Sequence, residues 1–111
     1  MVITGPGAVT PLGTGVKKSW EALCAGTSGV TRITRFDATG LLTQVAGEVK
    51  DFRPEDFVTK KLGRRTDRFQ QFAMAAAQMA VADAGLGTNH CDSDRIGVCL
   101  GTILHALLAL T

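Results

Sequence analysis

The residues of this 111-residue chain with reactive potential are three cysteines, two histidines, a glycine-rich opening and one dense run of cations. A thiolate beside an imidazole is a potential nucleophile, and Cys91 has His90 as its neighbour. Adjacent side chains of an extended loop point to opposite sides, however, so the pair is poorly placed for proton transfer. Cys24 falls on the apolar face of an expected helix, and Cys99 alternates within an expected strand. Each cysteine therefore reads as a small buried residue or an inert loop thiol. The lone dipeptide His90-Cys91 lacks the second ligand pair that zinc requires, so no metal site is expected.

The opening "VITGPGAVTPLG" raises a second chemistry, the cradling of a phosphate by glycine amides. Gly5 and Gly7 fit the first two positions of G-x-G-x-x-G, but the third is Thr10, and Pro11 occupies the place where a helix should already run. Asp37, the acidic residue at plausible range, follows "RITRF" without a convincing strand, and G-x-x-x-x-G-K-[ST] is absent. A buried strand over Val2–Thr4, followed by a turn with glycines at positive φ, is the favoured reading. A nucleotide-binding α/β domain stands as a competitor, which the lack of any thermal shift with NAD or ATP would remove.

From Lys60 to Arg68 the chain reads "KKLGRRTDR", five cations against one acid. The whole chain carries only +2, so this stretch at +4 is set in a background of −2. That total is too close to neutral for a nucleic-acid partner, and aromatic content of 5% supplies no base-stacking surface. A local basic patch can instead steer an acidic protein, although charge runs are more often solvated faces.

The remaining composition describes an ordinary globular protein, since 45% hydrophobic against 20% charged residues is enough to fill a core. No secretory leader is visible, and the longest apolar runs, "ILHALLAL" and "MAAA", fall short of a bilayer span. An odd number of cysteines without paired spacing fits a reducing cytoplasm.

The elements that would position these groups can be read in outline. "TGVKKSWEALCAG" predicts a helix with Thr14 as N-cap, an apolar face of Val16, Trp20, Leu23 and Cys24, and Gly26 as the stop. "GTSGVTRITRFDATGLL" is turn-rich, and "QVAGEVKDF" alternates as a short strand does. "TDRFQQFAMAAAQMAVADAG" predicts the longest helix. Asp67 and Gln70 form its capping box, Phe69, Phe72, Ala73, Ala76 and Ala80 share a face, and Gly85 ends it. After the polar loop "GTNHCDSD", the run "RIGVCLGT" predicts an interior parallel-type strand. Strand, helix, strand in that order implies a right-handed crossover and an α/β class.

Four blocks in this order, "VITGPGAVTPLGTGVKKSWEALCAGTSGV", "RFDATGLLTQVAGEVKDF", "KKLGRRTDRFQQFAMAAAQMAVADAGL" and "RIGVCLGT", carry a resemblance. Over residues 2–102 the chain resembles the start of the β-ketoacyl-[acyl-carrier-protein] synthases, most of all the elongating type. The resemblance implies the N-terminal portion of a thiolase-like fold, a mixed and mainly parallel sheet with helices, incomplete in this chain. It also implies a decarboxylating Claisen condensation that lengthens an acyl chain held as a thioester on a cysteine. In the family that cysteine lies in a Thr-Ala-Cys-Ser-like motif and works with two histidines of the second half of the fold. This sequence contains no such motif, so no catalytic residue, cofactor or metal ligand carries over, and the chain by itself is expected to be inactive.

One family feature does carry over by position. Lys61, Arg64 and Arg65 match the basic residues that contact the acidic acyl carrier protein. The resemblance further implies a cytoplasmic or organellar enzyme of fatty-acid or polyketide synthesis that acts as a homodimer. Residues 103–111, "ILHALLALT", depart from the family pattern, and together with the abrupt start they raise the expectation of a truncated chain. With its sheet half covered, the isolated polypeptide is expected to be poorly soluble or partly folded. A non-catalytic module that binds carrier protein, or pairs with a full-length synthase, is the alternative.

Overall fold

The structure, a computed structural model, describes residues 1–87 and 92–102. The expected departure over 103–111, together with Cys91, His90 and His105, lies outside the described residues. Two short antiparallel hairpins and three helices make up the regular part. β1 (Val9–Thr10) pairs with β2 (Gly13–Thr14) around a Pro11–Leu12 turn. α1 (Val16–Cys24) follows at once. β3 (Thr31–Arg32) pairs with β4 (Val45–Ala46), so that Thr31 faces Ala46 and Arg32 faces Val45. A 3-10 turn at Pro54–Asp56 leads to α2 (Lys60–Gly63) and then to the long α3 (Arg68–Asp83), and a second 3-10 turn lies at Ser93–Arg95.

Helix ends follow the local chemistry closely. At the start of α3 the Asp67 amide donates to Gln70 Oε1 at 2.8 Å, so the capping-box reading holds. Both long helices end in the same way, with a left-handed glycine one residue past the cap. Gly26 has φ 69° and Gly85 has φ 64°. The amides beyond them, of Thr27 and Leu86, donate to Ala22 and Val81 carbonyls at 2.9 and 3.1 Å. These are Schellman closures, which satisfy carbonyls that the helix cannot.

The start of α1 differs from expectation. Its N-cap is Gly15, at φ 101°, and not Thr14. Pairing with Val9 commits Thr14 to β2, one residue too early, and its buried hydroxyl has no partner. Ser19 does the anchoring instead. Its hydroxyl lies 2.8 Å from Thr10 Oγ1 and 3.1 Å from the Gly13 carbonyl, which seats α1 on the first hairpin.

Two expected strands are corrected. Val2–Thr4 has no ladder partner among the described residues, and Val2 and Ile3 are exposed. The same holds for 96–102, where Val98 is 96% exposed. An apolar run becomes an interior strand only with neighbours on both edges and cover on both faces. The described residues supply neither, so the crossover onto a parallel sheet is not formed among them. The apolar face of α1 is present but bare: Trp20 and Leu23 are exposed and line a small open cleft with Ala8, Leu12 and Val16. The buried apolar residues are few, namely Ala38, Phe52, Val58 and Ala75.

Gly5 and Gly7 have a role other than turning the chain. Neither has positive φ, but their backbone lies directly on α3. A Cβ on Gly7 would come within 1.9 Å of the Ala76 carbonyl oxygen, and one on Gly5 within 2.3 Å of the Ala84 amide nitrogen. Ala76, Ala80 and Ala84 recur every fourth residue, so the alanine face of α3 is the floor on which the N-terminal segment rests.

The second hairpin is closed by Glu48. Its carboxylate accepts from the Thr34 hydroxyl at 2.7 Å, the Thr34 amide at 3.1 Å and the Arg35 amide at 3.2 Å. The Thr34 hydroxyl, and then the Thr34 amide, hold its pKa below the ordinary 4.5. A lowered carboxylate pKa gives stability that is complete above the unfolded value and lost as pH falls through the folded value. The amide protection of Thr34 and Arg35 is therefore expected to decline below about pH 4.5. In a Glu48→Gln variant protection should be lower at neutral pH and flat across that window. Hydrogen exchange followed from pH 6 to pH 3 checks this, and identical profiles would refute it.

Candidate functional site: a basic turn ahead of the long helix

Thr59 opens α2 by accepting from the Leu62 amide at 3.4 Å, a weak N-cap that starts a single helical turn. That turn and its exit carry Lys60, Lys61, Arg64 and Arg65, all exposed. Lys60 and Arg64, like Lys61 and Arg65, are one turn apart and stack into two short rows on the same surface. The four side chains enclose an open depression of about 410 Å³. Among the described residues no carboxylate lies within ion-pair distance of any of them. The three ion pairs seen, Lys17–Glu21, Lys18–Asp51 and Arg53–Glu55, use other cations. The structure thus brings together Lys61, Arg64 and Arg65, which the sequence singled out, and adds Lys60.

Arg68, the fifth cation of the run, is withdrawn from this surface. Its guanidinium lies 5.1 Å from the Phe72 ring centre and 5.9 Å from that of Phe52, and it donates to the Val49 carbonyl at 2.5 Å. Burial, and after it the neighbouring charge of Arg35, lowers its pKa. An arginine stays protonated under such a shift, so Arg68 acts as a charged clamp between α3 and the chain at Val49–Phe52.

Beneath the basic turn lies Gln71, 8% exposed and the buried polar side chain of the described core. Its Nε2 donates to the Gly63 carbonyl at 3.1 Å and the Thr66 carbonyl at 3.0 Å. The Thr66 hydroxyl donates in turn to the Leu62 carbonyl at 2.9 Å. The Gly63 carbonyl, at the end of α2, is thereby satisfied by a side chain from α3. Sequence reasoning does not find this role, because Gln71 reads only as a polar residue in a helix.

Among the described residues the other features offer no reactive cluster. Cys24 and Cys99 are exposed thiols outside any disulfide, so of the two readings, small buried residue or inert loop thiol, the buried one does not hold. Cys24 ends α1, whose apolar face is uncovered, and Cys99 lies in the unpaired stretch 96–102. A larger open cleft of about 580 Å³, lined by Ala77, Gln78, Val81, Ala82, Gly85, Leu86 and Gly87, carries no ionisable group. No helix among the described residues is long and apolar enough to cross a membrane.

Comparison with known proteins agrees with the order of these blocks. Residues 1–109 match the family model for the β-ketoacyl synthase N-terminal domain. The 3-oxoacyl-[acyl-carrier-protein] synthase 2 of Coxiella burnetii is 50% identical over 102 residues, which are 92% of this chain and 25% of that protein. The enzyme of the same name from Staphylococcus aureus strain COL is 47% identical over the same length. Among solved structures, the ishigamide ketosynthase/chain length factor superposes with a TM-score of 0.66 at 44% identity, over 78% of this chain and 21% of that one. A β-ketoacyl synthase from Burkholderia phymatum also gives 0.66, at 34% identity, over 84% of this chain and 23% of that one. The chain spans about a quarter of the length of the curated relatives it matches. Its described elements are the small helix-and-strand portion of the thiolase-like α/β fold that those structures share. With the family model matched along nearly its whole length, the chain belongs to the β-ketoacyl synthase family as a piece of that family's N-terminal domain.

Proposed function

We propose that this chain is the carrier-docking part of a β-ketoacyl-[acyl-carrier-protein] synthase, with residues 1–102 forming the start of its N-terminal domain. The parent reaction is a decarboxylating condensation in fatty-acid or polyketide synthesis, run in the cytoplasm or an organelle by a homodimer. The acyl group passes to a cysteine thiolate, malonyl-carrier protein loses carbon dioxide, and the resulting carbanion attacks the thioester. The chain itself offers neither that cysteine nor the paired histidines, so its share of the work is recognition.

The observation that carries the reading is the cluster of Lys60, Lys61, Arg64 and Arg65 with no carboxylate partner among the described residues. Unpaired cations on one turn raise the encounter rate with an acidic partner and are sensitive to salt. In fluorescence anisotropy at low salt, the triple variant Lys61→Ala, Arg64→Ala, Arg65→Ala is expected to bind a holo-acyl carrier protein about tenfold more weakly or worse. The difference should fade as ionic strength rises above about 0.15 M, where the screening length shortens to about 8 Å. Unchanged binding by the triple variant would sink the docking role. Release of carbon dioxide from malonyl-carrier protein by the 111-residue chain alone would sink the claim that it lacks the chemistry.

A further inference from the structure

We infer that Gln71 is the positioning residue of the basic turn, holding Arg64 and Arg65 in the arrangement that meets the carrier protein. The inference rests on the docking reading above and adds a residue that touches no partner itself. Its basis is geometric. One amide nitrogen grips the backbone at Gly63 and at Thr66, the two residues that flank the arginine pair. The segment between these anchors is Arg64-Arg65, whose side chains both point out to solvent. The anchor is rigid, because Gln71 lies in the first turns of α3 and is buried beside the fully buried Ala75. The other bonds of this loop among the described residues do not tie it to α3: the Thr66 hydroxyl reaches back only to Leu62, and the Arg65 amide closes on Leu62 as well.

Holding the backbone matters because a flexible cation must be ordered when the partner arrives. Immobilising a long side chain costs conformational entropy, and a loose loop adds backbone entropy to that. A pre-set loop has already met the second cost. Gln71 therefore acts on affinity through two arginines while remaining buried.

The same helix supplies a control. Gln78, two turns on, donates from Nε2 to the Phe57 carbonyl at 2.8 Å, the same kind of bond made to a different loop. The test compares Gln71→Met and Gln78→Met in the native polypeptide that carries this chain, by anisotropy titration against a labelled holo-acyl carrier protein. Gln71→Met is expected to raise Kd about three- to tenfold at low salt and to flatten its dependence on salt. Gln78→Met should stay within about twofold, since its bond holds no part of the basic turn. A purely structural contribution of Gln71 would lower the melting temperature without changing the salt dependence. If Gln71→Met binds like its parent while the Lys61, Arg64, Arg65 triple variant does not, docking stands and this inference is overturned. If the triple variant binds like its parent, the docking reading fails first. Should Gln71→Met not fold, Gln71→Asn is titrated in its place, being one methylene shorter and unable to span both carbonyls. Parent-like binding there overturns the inference equally.

Discussion

Gly7→Ala is expected to destabilise the chain by about 3 kcal/mol or more, at the upper end of what an added methyl does in a packed interior. The reason is what the methyl would meet. It would lie 1.9 Å from the Ala76 carbonyl oxygen and 2.8 Å from the Ala80 amide nitrogen, both backbone atoms of α3. A side chain could swing aside, but these atoms are tied into the helix ladder and can move only by displacing the helix or peeling off the N-terminal segment. Gly5→Ala should act in the same direction, with contacts of 2.3 Å to the Ala84 nitrogen and 2.6 Å to the Ala80 oxygen. Gly87→Ala is the control, because a Cβ there meets nothing within 4 Å. It should be neutral, or stabilising by about 0.4–1 kcal/mol through the unfolded chain. Thermal unfolding followed by circular dichroism decides the matter. In the native polypeptide that carries this chain, Gly7→Ala is expected to melt clearly below Gly87→Ala, and parity between them would show that the segment does not rest on α3.

This close contact also marks where the sequence could be read and where it could not. The glycines of "GPG" stand out in the sequence, and the local expectation for them was a tight turn with positive φ. The partner that makes glycine necessary lies some 70 residues away, in the alanine row Ala76, Ala80, Ala84. By contrast, α1 and α3 were legible because their signals are local: periodic apolar residues, the Asp67–Gln70 box and the stops at Gly26 and Gly85. β4 was found at Val45–Ala46 for the same reason, whereas β3 was missed because Thr31–Arg32 shows no alternation and is defined only by its pairing. The apolar runs at Val2–Thr4 and 96–102 misled for the converse reason. Their composition describes interior strands, but a strand exists through its neighbours.

The basic site divides in the same way. Lys61, Arg64 and Arg65 were legible through their position in the family resemblance, their exposure being the default for a cation, and Lys60 joins them one turn back. Arg68 belongs to the same run by charge but not by place. Its aromatic partners include Phe52, sixteen residues upstream, and no spacing rule links the two. Counting charge therefore overstates the exposed basic cluster by one.

Phe52→Ala is the second large effect, an expected loss of about 3–5 kcal/mol, as is usual when a buried aromatic ring is removed. Phe52 is 5% exposed, in a core with few other large buried side chains. Its ring stacks on Phe57 at 5.7 Å and meets Phe72 edge-on at 4.9 Å, so one truncation strips contacts from the segment before α2 and from α3 together. Phe52→Leu should lose less, since most of the volume is kept while the ring geometry is not. The Arg68 clamp predicts a further term. Phe52→Leu and Arg68→Met should be non-additive by about 1 kcal/mol in a double-mutant cycle, reflecting the cation held over the ring. Additivity would mean that Arg68 is kept in place by the Val49 carbonyl alone. The cycle also bears on docking. If Arg68 is a clamp, Arg68→Met should lower stability yet leave the low-salt affinity for carrier protein far less changed than loss of Arg64 or Arg65 does. Equal losses of affinity would return Arg68 to the binding surface.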